Sequence, residues 1–140
     1  MVQLIVGKKG KGKTKELLDK VNGQVKTISG SIVYLDKSTK HMYELNNKVR
    51  LINVTDYLIS SSEEFLGFLC GIISQDNDLE EMYLDSFLTI AALSDEEEIV
   101  RAIEKLDVIS EKYKVKFILS VSKDKESLPE CAKAKVIISL

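Results

Sequence analysis

The chain has 140 residues, of which 44% are hydrophobic and 30% charged, with a formal net charge of −2. That length suits one domain, 1–140. The near-neutral balance excludes a global basic field of the kind that gathers nucleic acid. No apolar run approaches the roughly 20 residues needed to cross a bilayer, and the first residues carry no signal-peptide pattern, so the composition reads as that of a cytoplasmic protein.

In chain order, Val2 to Val6 is a short apolar run halted by Gly7, which reads as a buried strand. A helix from Thr14 to Val21 follows, with Leu17, Leu18 and Val21 on one face and Gly23 as its expected end. Ser31 to Asp36, "SIVYLD", reads as a second strand. Lys37 to Asn47 is either a short helix or a loop, and Val49 to Val54 could be a further strand.

Ser61 or Ser62 caps the next helix, whose inner face carries Phe65, Leu66, Leu69, Ile72 and Ile73. Glu81 to Phe87 reads as a strand ending near Asp85, with Glu80 ahead of it. Ser94 opens another helix, its first turn holding Asp95 to Glu98 at the positive dipole end. Val115 to Ser122, "VKFILSVS", is a strongly apolar strand that turns polar at its end; Pro129 marks a turn or short helix, and "KVIISL" closes the chain as a strand. Strands alternating with helices, several of them apolar on both faces, predict an α/β fold with a parallel sheet covered on two sides. Cys70 and Cys131 lie far apart and read as free thiols.

The chemistry concentrates in Gly7 to Thr14, GKKGKGKT, which satisfies GxxxxGK[ST] between a strand and a helix. Glycines at Gly7, Gly10 and Gly12 let the backbone turn tightly and aim its N–H groups inward. Those groups and the helix N-terminus form a concave anion site with contributions from Lys8, Lys9 and Lys11. Lys13 would reach the β- and γ-phosphates, and Thr14 would offer its hydroxyl to Mg²⁺. The lysines beyond those the pattern needs read as solvated charge or as a local patch for an anionic partner, nucleic acid included.

A second half of the site must supply a carboxylate near the metal. Asp85, closing "MYLD", is the choice over Asp36, closing "IVYLD", because the strand directly after the first helix is expected at the sheet edge. Ser86 stands where many hydrolytic P-loop ATPases place a glutamate, so no evident activator of water follows Asp85; Asp36 and Asp56 could enter from neighbouring loops. Ser120 and Ser122 end a strand, and Ser122 is the candidate γ-phosphate sensor. Arg50 and Arg101 are the only arginines, which argues against a kinase with an arginine-rich lid. No NKxD-type motif is present, which favours ATP over GTP.

GKKGKGKT, "MYLD" and "FILSVS", in this order, resemble the P-loop NTPase superfamily, and within it the RecA-like and AAA+ ATPase branch. The resemblance spans most of the chain and implies a three-layer α/β/α domain around a mainly parallel five-stranded sheet in the order 5-1-4-3-2. Its strands would be Val2–Val6, Ser31–Asp36, Met82–Asp85, Phe117–Val121 and Val136–Leu140. It further implies ATP and Mg²⁺ as ligands, with Thr14 and Asp85 at the metal. The expected function is a small ATP-binding protein with weak or partner-dependent ATPase activity, its site completed by a protein partner or a second copy. The alternatives are a non-catalytic nucleotide-binding regulatory module and, less favoured, a small-molecule kinase.

Overall fold

The computed structural model describes residues 1–140. The strands are β1 (Val2–Val6), β2 (Ser31–Asp36), β3 (Val49–Asn53), β4 (Leu79–Leu84), β5 (Lys116–Val121) and β6 (Val136–Ser139). The helices are α1 (Lys13–Gln24), α2 (Ser62–Ser74), α3 (Phe87–Ile90), α4 (Glu96–Tyr113) and α5 (Glu130–Lys133). All strands pair in parallel in one sheet, ordered β3-β2-β4-β5-β1-β6.

The strands sort their side chains by parity, as a pleated backbone must. Leu4, Val6, Val33, Leu35, Met82, Leu84, Phe117 and Leu119 point into the larger core, against α2, α3, α4 and α5. Ile5, Ile32, Tyr34, Tyr83 and Ile118 point the other way, against Leu17, Leu18 and Val21 of α1. Both faces are therefore covered, which gives the three layers and explains why the central strands carry apolar residues on both faces. No helix is long and apolar enough to cross a membrane.

Two helices begin where a side chain takes over an orphan N–H. Ser61 Oγ accepts from the Glu64 N–H at 3.2 Å, and an Asp95 carboxylate oxygen accepts from the Glu98 N–H at 2.8 Å. The second cap is Asp95 rather than the expected Ser94.

The sheet corrects the expected five-stranded order. It has six strands, because Val49–Asn53 pairs with β2 and becomes the edge itself. Asp36 consequently ends a strand flanked on both sides, by β3 and β4. The β4 strand runs from Leu79 to Leu84, so Glu80 lies within it rather than ahead of it. Glu81 is buried because its two oxygens have donors: Tyr83 Oη at 2.7 Å and Gln24 Nε2 at 2.8 Å. Helix α1 runs through Gly23 to Gln24. A glycine there costs about 1 kcal/mol relative to alanine, but buried Val21 anchors the last turn. The Asn22 amide also ties it to the β2–β3 connection, donating to the Glu44 carbonyl at 2.8 Å and accepting from the Asn46 N–H at 2.9 Å.

Candidate functional site

Parallel pairing sends every strand's C-terminal end to one edge of the sheet, where side chains following different strands can meet. Here that edge carries the glycine loop after β1, Ser120 and Ser122 at the end of β5, Asp85 after β4, and Asp36 at the end of β2. They line one cleft of about 590 Å³.

The loop's geometry depends on its glycines. Gly10 and Gly12 hold φ of 86° and 98°, left-handed values that side-chain-bearing residues rarely adopt. Gly7 has φ 155°, and a Cβ there would stand 3.0 Å from Leu140 Cβ and 3.2 Å from its carbonyl oxygen. Helix α1 begins directly after Gly12 with no side-chain cap. The N–H groups of Gly10, Gly12, Lys13 and Thr14 have no backbone acceptor, so they remain available to an anion at the positive end of the helix. Lys13 folds back over the loop, its Nζ donating to the Lys8 carbonyl at 3.1 Å. Burial lowers the pKa of its ammonium, and Asp85 works in the opposite direction.

Asp85 is the hub of the cleft floor, 2% exposed. Its Oδ1 accepts from Ser120 Oγ at 2.6 Å, from the Ser86 N–H at 2.9 Å and from Thr14 Oγ1 at 3.3 Å. Its Oδ2 accepts from Tyr34 Oη at 2.9 Å. Burial and the Asp85 charge push the Tyr34 phenol far up, so it stays a donor. Ser86 adopts φ 56°, which lets its N–H reach both Asp85 and Ser120 Oγ, the latter at 2.8 Å.

Asp36 stands beside this hub and is bonded at one oxygen alone. Oδ1 accepts from the Lys37 N–H at 2.7 Å, while Oδ2 is buried with no partner. Burial raises its pKa first and the Asp85 charge raises it further; the Lys37 N–H, His41 and the Lys37 ammonium oppose them. A buried carboxylate oxygen lacking a donor is costly unless something polar occupies the space before it.

Thus the structure brings together Thr14, Asp85 and Ser120 as a bonded group, with Lys9, Gly10, Gly12, Lys13 and Ser122 along the same cleft. Ser122 is exposed and makes no bond to Asp85; the buried Ser120 does. Gly7, Lys8 and Lys11 shape or flank the loop without lining the cleft, and Lys8 lies 3.5 Å from Asp124. Asp56 is exposed and bonds to Asn53 at 3.4 Å, away from the cleft. One participant escapes a reading of the sequence: Tyr34 sits inside an apolar strand, where a tyrosine signals only β-propensity. Asp36, ranked below Asp85 on the expectation of an edge position, lines the same cleft because β3 takes that edge.

No three His, Cys, Asp or Glu side chains are grouped to hold a metal by themselves. The Thr14 hydroxyl and the Asp85 carboxylate form a hard oxygen pair that suits Mg²⁺, an ion that takes few protein ligands and fills its sphere with water and phosphate. The unpartnered Asp36 oxygen fits a hydrated cation, because water in that shell could donate to it. No family model matches the chain, and no match is found among curated proteins.

Proposed function

We propose that this chain binds a nucleoside triphosphate with Mg²⁺ in the cleft and hydrolyses it slowly. The observation that carries this reading is the meeting of Thr14 and Asp85 at 3.3 Å beside buried Lys13, at the mouth of a loop with free N–H groups. In this reading GKKGKGKT is a P-loop and the chain a member of the P-loop NTPase superfamily, of the RecA-like kind. The loop N–H groups and Lys13 hold the phosphates. Thr14 and Asp85 hold the metal, which neutralises phosphate charge when bound. Asp36 is the remaining buried carboxylate, and its unpartnered Oδ2 suits the role of orienting a water. ATP is preferred over GTP in the absence of an NKxD-type motif.

A titration of labelled ATP against the parent and Lys13→Ala tests binding. The parent binds and the variant loses most of its affinity; equal binding by both, or none by either, overturns the reading. A second reading, a non-catalytic nucleotide-binding module, draws support from Ser86. Its N–H is committed to Asp85 and Ser120, and no carboxylate follows Asp85. Phosphate release with Mg²⁺, alone and with single-stranded DNA, separates the two.

A further inference from the structure

The cleft has a second cationic wall. Lys9 lines it from the glycine loop, while Lys37 and Lys40 line it from the β2–β3 connection. With Lys13, four lysines face two aspartates, Asp36 and Asp85, in a chain of net charge −2. Lys8 has Asp124 at 3.5 Å, but Lys9, Lys37 and Lys40 have no carboxylate within ion-pair distance.

The connection that carries Lys37 and Lys40 is pinned at both ends. The Lys37 N–H is bonded to Asp36 at 2.7 Å, and the Lys40 N–H to Ser38 Oγ at 3.2 Å. Beyond them, Asn22 of α1 holds Glu44 and Asn46. The two lysines are therefore presented by an anchored segment and not by a free strap.

Strand order gives the cleft a direction. From β1 outward come β5, β4 and β2, so the glycine loop stands at one end and Lys37 at the other. Three strand spacings separate them, about 14 Å at the backbone, and the lysine side chains shorten that gap from the far side. Leu88 is the single apolar residue of the lining. A wall this polar suits the anionic tail of a nucleotide and not its base.

We infer that Lys37 and Lys40 receive the terminal phosphate, making the cleft selective for nucleoside triphosphate over diphosphate and supplying within one chain the positive charge that its two arginines do not. This rests on the phosphate-binding reading of the Gly7–Thr14 loop. Arg50 and Arg101 do not line the cleft, so the lysine pair is the cationic group available at that end. A diphosphate held at the loop stops short of the pair and ignores it. A third phosphate enters between the pair and the carboxylates, where charge-assisted hydrogen bonds are strong.

The test compares Mg²⁺ complexes of ADP and of a non-hydrolysable ATP analogue by calorimetry. The proteins are the parent, Lys37→Ala/Lys40→Ala and, as a charge control on α4, Lys105→Ala, each checked by circular dichroism and thermal melting. The parent prefers the triphosphate. The double variant reduces that preference by about tenfold or more, the scale of lost bonds to charged groups, and leaves ADP affinity within about twofold; the control changes neither. Equal loss for both ligands, or an unaltered preference in the double variant, overturns the inference while ADP binding that depends on Lys13 keeps the loop reading intact. A parent that binds neither ligand overturns both.

Discussion

The Thr14 hydroxyl donates to Asp85 Oδ1 at 3.3 Å, although 71 positions of chain separate the two residues. They meet because α1 follows the loop after β1, Asp85 directly follows β4, and only β5 lies between. If this pair holds Mg²⁺, Thr14→Ala weakens ATP binding in Mg²⁺ by about tenfold, the equivalent of 1.4 kcal/mol. Its affinity in excess chelator stays that of the parent. Calorimetry in both buffers decides, and an equal loss in the two would remove the metal from Thr14's role.

Tyr34 offers a test of the hub's rigidity. Its hydroxyl is the one donor to Asp85 Oδ2. Tyr34→Phe keeps the packing against Tyr83, whose ring is stacked at 6.3 Å, but strands a buried carboxylate oxygen. The expected cost is about 1–3 kcal/mol, read from urea unfolding. An unchanged unfolding midpoint contradicts it.

Asp36 sets a pH dependence. Its folded pKa lies above the ordinary carboxylate value because of burial and then Asp85. The native state therefore holds this proton more tightly than the unfolded chain does. The ionised group subtracts stability as pH rises through the folded value, and the penalty is absent well below the unfolded value of about 3.9. Asp36→Asn thus raises Tm at neutral pH, and the gain fades in acid. If Asp36 orients water, the same variant releases phosphate more slowly while still binding ATP. A variant less stable than the parent at neutral pH goes against the assignment.

The glycines of the chain are not equivalent. Gly7→Ala brings a methyl group within 3.0 Å of Leu140 Cβ, which predicts a loss of about 1–3 kcal/mol and weaker ATP binding. Gly23→Ala meets open space on the exposed side of α1 and predicts a gain of about 0.5–1 kcal/mol with binding unchanged. Chemical denaturation of both variants, with ATP titrations alongside, checks the contrast.

Much of this was legible in the residues themselves. The glycine loop is a local pattern, and the doubly apolar strands announce a parallel sheet. What escaped depends on partners distant in the chain. Nothing local in the sequence marks Glu81 as buried, yet Gln24 and Tyr83 satisfy it inside the fold. The 3₁₀ turn Met42–Glu44 and the four-residue α3 are too short to carry a period. The place of Asp36 followed from whether Val49–Asn53 joined the sheet, and its half-exposed, weakly alternating side chains leave that undecided until β2 is beside it.

The strand order also has a consequence in time. β1 is made before the other five strands of this sheet, yet its two neighbours are β5 and β6, the last two of the six. Until they arrive, the strand that carries the glycine loop has both edges open, a condition that invites pairing with other chains. Ser120, whose hydrogen bond to Asp85 is the shortest that carboxylate makes, arrives with that same late segment. A nascent chain truncated before Lys116 would therefore contain the entire GKKGKGKT loop and still lack a finished cleft, and synthesis itself would delay any ligand until β5 and β6 are in place.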